Sequence, residues 1–139
     1  MQKLFLVAFS LGLLFFADNA QADALYDFNQ CIKGGKSEAE CYRSEARRYV
    51  SKIEEIYKKY GQDSYFDGYT VDKTTSNDEK FRKLINMWKL YIQNYCNLIN
   101  YTKEKQEEDV DPNKCLYDMA ASHLDDIEAI ESIRESDRF

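Results

Sequence analysis

The stretch 81–102, FRKLINMWKLYIQNYCNLINYT, carries the most regular apolar pattern of the chain outside its N-terminal end. Its apolar side chains recur at steps of three and four residues, which predicts a helix that buries a broad face. The predicted core positions are Phe81, Leu84, Trp88, Tyr91, Tyr95 and Leu98, with Ile85, Ile92 and Ile99 widening the stripe. We expect a central helix that opens at a capping box of Ser76 and Glu79 and ends between Tyr101 and Lys105.

The first 22 residues are typical of a secretory signal peptide. Lys3 precedes an apolar run at 4–16, and small residues surround the predicted cleavage site after Ala22. The run is shorter than the roughly 20 residues that a transmembrane helix needs. We therefore predict a signal peptide at 1–22 and a single exported domain at 23–139, without stable membrane insertion after cleavage. A retained membrane anchor is the alternative.

Four cysteines in an exported chain predict two disulfides. Four cysteines allow three pairings, and the most local one joins Cys31 to Cys41 and Cys96 to Cys115. Each bridge would stabilise the fold by about 3 kcal/mol through loop-closure entropy. The sequence has no CxxC motif and a single histidine, which argues against a zinc site or a thioredoxin-type redox pair. No metal or cofactor is predicted.

Three further helices are predicted, at 24–32, at 38–60 and from Asp111-Pro112 onward. Ser37 and Glu40 form a capping box for the second of these, and Gly61 is predicted to end it in the left-handed conformation. The apolar side of the last helix comprises Leu116, Met119, Ala120, Ile127 and Ile130. The predicted fold is an all-α bundle of three long helices plus a short N-terminal helix, stapled by two disulfides.

Two non-helical segments connect the long helices. The segment 62–77 is polar but contains Tyr65, Phe66 and Tyr69, with Val71 following. These aromatic side chains either fold back on the bundle or remain exposed to bind a partner. We expect the first alternative, because removing an aromatic side chain from water is strongly favourable. The charged run KEKQEEDVD at 103–111 is predicted to be largely a connector between the last two helices.

Charge and chemistry favour a binding protein over an enzyme. The chain has 19 basic and 25 acidic residues and a net charge of −6, which argues against nucleic acid and favours a basic partner. His123 is the only histidine and has no evident nucleophile or carboxylate partner in the sequence pattern. We therefore predict no enzymatic activity, with a hydrolase as the most remote alternative.

Trp88-x-x-Tyr91, followed by Cys96, resembles the signature of the lysozyme inhibitor LprI N-terminal-like family of exported bacterial domains. The segment that begins Cys115-Leu116 is similar to the closing helix of that family, and Tyr57 fits its pattern after the second cysteine. The similarity covers residues 31–130. The chain departs from the family at several polar positions, which are occupied here by Val50, Glu54, Ile92, Gln93 and His123.

The resemblance implies a periplasmic or secreted protein that binds and inhibits a lysozyme and so protects the bacterial cell wall. The alternative is a small helical interaction module with a partner other than lysozyme. For the contact surface we predict the acidic patch of Glu107, Glu108, Asp109 and Asp111, which the neighbouring disulfide would hold in place. The second candidate surface is the aromatic loop with Tyr65, Phe66 and Tyr69.

Overall fold

The computed structural model describes residues 25–67, 69 and 74–138, so the predicted signal peptide lies outside the described residues. The helices are α1 at 25–33, α2 at Glu38–Gly61, α3 at Asn77–Lys105 and α4 at Pro112–Ser136. A 3-10 turn at Ser64–Phe66 follows α2. The described residues form no strand, and the all-α prediction is confirmed.

The predicted helix starts are confirmed by their caps. Ser37 and Glu40 exchange the two hydrogen bonds of a capping box at the start of α2. The Ser76 hydroxyl accepts a hydrogen bond from the Glu79 backbone N–H at the start of α3. Asp111 caps α4, whose first residue is Pro112. Each cap satisfies a backbone N–H that a helix leaves unpaired in its first turn, which explains why these boundaries can be read from sequence.

The central helix is α2, so the prediction that the 81–102 segment occupies this place was wrong. α2 packs against both α3 and α4. It buries the largest set of side chains, namely Cys41, Tyr42, Ala46, Tyr49, Ile53, Tyr57 and Tyr60. α4 buries Tyr117, Ala120, Leu124, Ile127 and Arg134, whereas α3 buries only Phe81, Ile85, Ile92 and Cys96. The prediction for α4 was correct at Ala120 and Ile127 but wrong at Ile130, which is 41% exposed.

α3 buries only part of the broad face that was predicted to contact the core. The prediction was correct at Phe81, Ile85 and Ile92, which are buried. Four predicted core residues are instead between 39% and 61% exposed, namely Leu84, Tyr91, Tyr95 and Leu98. Trp88 is half-buried and packs against the core. Apolar residues occupy well over half of the circumference of α3, so periodicity alone did not decide which part faces the bundle.

Both predicted disulfides are present. Cys31 is bonded to Cys41 with a Cα–Cα distance of 5.7 Å, and Cys96 is bonded to Cys115 with a Cα–Cα distance of 5.6 Å. The first bridge fixes α1 to the start of α2, and Phe28 of α1 then packs its ring 4.6 Å from Tyr42. The second bridge fixes the second half of α3 to the first turn of α4. Each bridge therefore joins two consecutive helices, α1 to α2 and α3 to α4.

Gly61 does not adopt the predicted left-handed conformation. Among the described residues, positive φ angles occur at Gly35, with φ 87°, and at Glu107, with φ 59°. Gly61 is instead the last residue of α2, and a Cβ atom built on it would lie 2.8 Å from the Cα of Asp78. The glycine is required because the end of α2 and the start of α3 approach closely.

Candidate protein-binding surfaces

The connector between α3 and α4, residues 106–111, has a defined backbone and exposed carboxylates. The backbone N–H of Glu107 donates to the carbonyl of Glu104, and that of Glu108 donates to the carbonyl of Lys103, both at 3.1 Å. The side chains of Glu107, Glu108 and Asp109 are exposed. Three of the four predicted contact acids are therefore presented to solvent on a hydrogen-bonded turn, which lowers the entropy lost on binding a partner.

Asp111, the fourth predicted contact acid, has a structural role. Its Oδ1 atom accepts a hydrogen bond of 2.8 Å from the backbone N–H of Asn113 and caps α4. The residue is half-buried. Because removal of an N-cap typically costs about 1 kcal/mol, a substitution of Asp111 would change both stability and any contact.

A cleft of about 320 Å³ lies between the connector and the ends of α3 and α4, and we name it the connector cleft. Apolar side chains line part of it, namely Ile99, Val110 and Met119, together with Cys115 of the second disulfide. Its polar lining comprises Asp109, Asp111, Asp118, Lys103 and Lys114. Lys114 forms an ion pair of 2.6 Å with Asp118. An apolar wall beside carboxylates suits a long basic side chain, which has an aliphatic stem and a charged end.

The aromatic loop folds back on the bundle, as the first of the two alternatives predicted. The Phe66 ring lies 4.5 Å from the Tyr60 ring, and the Tyr69 ring stacks at 4.9 Å on the ring of Phe81. Tyr65 is 40% exposed, and its hydroxyl donates a hydrogen bond of 2.6 Å to Asp137. Val71 lies outside the described residues. These rings are thus partly committed to intramolecular packing.

The two predicted contact regions lie far apart. The aromatic loop precedes α3 and the connector follows it, and α3 has 29 residues. At 1.5 Å per residue this helix is about 42 Å long. The structure therefore does not bring the aromatic loop and the acidic connector into one site.

The side of α3 that points away from the core forms an apolar surface that sequence reasoning missed. We call it the α3 face. It comprises Leu84, Met87, Leu90, Tyr91, Tyr95, Leu98 and Tyr101, whose exposures range from 39% to 69%. The one charged residue between 84 and 101, Lys89, forms an ion pair with Glu54 of α2. Contiguous apolar surface of this kind is characteristic of protein interaction sites. The unusually wide apolar arc of the 81–102 segment was the signal that could have revealed it.

The residues that carry the family resemblance occupy unlike environments. Tyr57 is buried, and Leu116 packs against the core from a half-buried position. Trp88 is half-buried, whereas Tyr91 is 57% exposed. Three of these four side chains thus contribute to packing, and Tyr91 belongs to the α3 face.

His123 is held in a packed cluster of rings. Its Nε2 atom forms a hydrogen bond of 2.8 Å with the hydroxyl of Tyr57, and its ring stacks on Trp88 at 4.4 Å. Burial lowers the pKa of His123 below its ordinary value, and the nearby Asp126 carboxylate opposes this effect. The hydrogen bond and the stacking assign this histidine to packing between α2, α3 and α4.

Charge is distributed unevenly over the helices. α3 contains six basic and three acidic residues, whereas α4 contains two basic and six acidic residues. The connector adds four acidic residues and no basic one. The acidic character of the chain is therefore concentrated at the connector and along α4, and the connector cleft lies at the first turns of α4.

Two further features bear on the class of site. In the described part of the chain, no group of three or more His, Cys, Asp or Glu side chains is arranged to hold a metal ion. No helix within the described residues is long and apolar enough to cross a membrane.

Comparisons with protein-family models, curated proteins and solved structures gave no significant match.

Proposed function

We propose that this chain is an exported, non-enzymatic binding protein that inhibits a lysozyme through the acidic connector and the connector cleft. The observation that carries the proposal is the cleft itself. Its apolar wall and Asp109 lie beside a turn that presents Glu107, Glu108 and Asp109 to solvent. This arrangement suits the insertion of a lysine or arginine side chain from a basic partner.

The choice of a lysozyme follows from the resemblance to the LprI-like family together with the charge. Many lysozymes are basic, and the net charge of −6 would accelerate their association with this chain. Export is supported by the signal-like N-terminus and by two disulfides, which persist in oxidising compartments. The departures at polar family positions do not affect this surface, because none of them lies in the connector.

The experiment is a titration of the purified chain into several lysozymes while lysis of suspended bacterial cell walls is followed at low and at elevated salt. We expect inhibition that weakens as salt rises, because exposed charges are screened. The test variant combines Glu107→Gln, Glu108→Gln and Asp109→Asn, leaving the Asp111 cap intact. We expect it to lose at least about tenfold in inhibitory potency, which corresponds to 1.4 kcal/mol.

A matched control variant removes three exposed carboxylates elsewhere through Glu55→Gln, Asp126→Asn and Glu135→Gln. It changes the net charge equally but leaves the connector unchanged. Equal loss in both variants would mean that overall charge, and not the connector, governs binding. Absence of inhibition for every lysozyme type tested would refute the lysozyme proposal. Affinity capture from periplasmic extract and host secretions would then identify the partner of a different helical interaction module.

A further inference from the structure

The α3 face has a spacing that is the same in both directions along the chain. Its central line runs through Leu84, Met87, Tyr91, Leu98 and Tyr101 of the face and through the polar Asn94 between them, at steps of three, four, three, four and three residues. All six side chains are exposed. Alternating steps of three and four are the spacing by which two helices pack along a common seam.

We infer that the α3 face binds the same face of a second copy of this chain, with the two α3 helices antiparallel. A two-fold axis between residues 92 and 93 would place Leu84 opposite Tyr101 of the second copy. The same axis pairs Met87 with Leu98 and Tyr91 with Asn94. A two-fold interface must be self-complementary, and the symmetrical spacing meets this requirement. This inference is independent of the proposed function.

Charge favours a second copy as the occupant. The central line carries no charged side chain, so two such lines meet without repulsion between like charges. Just beyond its ends, the same axis places Lys83 across from Thr102 of the second copy and within two residues of Glu104, a residue of opposite sign. Lys83 also forms an ion pair of 2.9 Å with Glu79 of its own helix. The outermost lysines are engaged with rings of their own chain, because Lys80 lies 6.0 Å from the Tyr69 ring and Lys105 lies 5.3 Å from the Tyr101 ring.

Area and register also fit. The three tyrosines and four aliphatic residues of the face are 39% to 69% exposed, so the face offers on the order of 600 Å² if each large side chain presents at least about 150 Å² when fully exposed. Stable interfaces bury about 800 Å² per partner, which the flanking polar side chains of α3 would complete. Asn94 places one polar residue of each copy near the centre of the seam, across from Tyr91 of the second copy.

Sedimentation velocity over a wide concentration range tests the inference on the intact chain. We expect a monomer–dimer equilibrium that Leu98→Glu weakens at least about tenfold, because it buries a carboxylate in the seam. Ile133→Glu is the matched control, since Ile133 on α4 is 58% exposed and Leu98 is 61% exposed. We expect the control to dimerise as the parent does. Thermal melting in the monomeric range would establish that both variants fold.

The orientation is tested by two further sets of variants. Lys83→Glu and Glu104→Lys should each weaken the dimer, and the combined variant should recover it. An equimolar mixture of Leu84→Cys and Tyr101→Cys chains should form a covalent dimer on mild oxidation, whereas each variant alone should not. Crosslinking of Leu84→Cys alone would indicate parallel helices and would overturn the arrangement.

Two other outcomes would overturn the inference as a whole. One is a parent chain that stays monomeric at every concentration. The other is a dimer that Leu98→Glu does not weaken. A monomer in which Leu98→Glu lowers the melting temperature would mean that another segment of the same chain covers the α3 face.

Discussion

Arg134, in the last turns of α4, donates a hydrogen bond to the carboxylate of Asp63, which lies just after α2. The side chains are 5% and 10% exposed, so this ion pair is largely removed from water. The same carboxylate accepts a hydrogen bond of 3.0 Å from the backbone N–H of Tyr65. One aspartate thus joins the ends of two helices and fixes the start of the aromatic loop.

Asp63→Asn is expected to lower the melting temperature at neutral pH and to lose this effect in acid. The backbone N–H of Tyr65 and the Arg134 guanidinium lower the pKa of Asp63 below its ordinary value. The stabilisation is therefore present above about pH 4 and is lost as pH falls through the pKa of the folded state. Melting curves of parent and variant from pH 7 to pH 2 measure this convergence. Glu55→Gln serves as the control, and curves for Asp63→Asn that stay parallel to the parent would contradict the assignment.

Neighbouring substitutions on α3 test which side of this helix faces the core. Ile85 is 7% exposed and Leu84 is 39% exposed. We expect Ile85→Ala to lower the free energy of unfolding by about 3 kcal/mol, through lost burial and a cavity. Leu84→Ala should cost less than about 1 kcal/mol. Urea unfolding at low protein concentration measures both values in the monomer, and the reverse order would mean that Leu84, and not Ile85, faces the core.

The outcome for α3 illustrates what sequence could and could not predict here. The helix boundaries were predictable because Ser37, Ser76 and Asp111 satisfy local backbone groups, which needs no knowledge of the remaining fold. The disulfides were predictable because spacing limits which cysteines can meet. The buried side of α3 depends on where α2 and α4 lie, and a helix with so wide an apolar arc does not encode that position by itself.

The candidate site likewise has one part that the sequence predicted and one part that only the folded structure shows. The acidic connector is a continuous run of residues and was predicted as a contact surface. The connector cleft needs Ile99 of α3 and Met119 of α4 to lie beside Asp109, and only the folded arrangement provides this. The structural role of Asp111 as a cap was predicted too. That Asp111 is half-buried, and so is less available to a partner than the other three acids, became apparent only from the structure.

Replacement of His123 is expected to flatten the pH dependence of stability between neutral and mildly acidic pH. Burial lowers the pKa of His123 in the folded state. Histidine in the unfolded chain has a pKa of about 6.5, so just below that pH the unfolded chain binds more protons than the folded chain does. The stability of the parent is complete above that value and falls as pH decreases toward the folded pKa. His123→Gln should remove this contribution while an amide remains near the Tyr57 hydroxyl. Melting temperatures at pH 8 and pH 5 provide the measurement, and equal slopes in both proteins would argue against a neutral buried histidine.

Gly61→Ala is expected to destabilise the fold, although alanine is the better helix former by about 1 kcal/mol. Its Cβ would lie 2.8 Å from the Cα of Asp78, a backbone atom that cannot move without shifting the start of α3. We expect a loss of about 1–3 kcal/mol, as for other overpacked sites. Chemical denaturation measures the sign directly. A more stable variant would show that α2 and α3 separate at this end without cost.

The unequal charges of α3 and α4 make the surface charge of the domain uneven as well as negative overall. At neutral pH the acidic connector and α4 should bring the protein onto an anion exchanger. The cluster formed by Lys80, Arg82 and Lys83 at the start of α3 should still allow retention on a cation exchanger at low salt. A charged surface would therefore hold the molecule in a preferred orientation and leave one side available to arriving proteins.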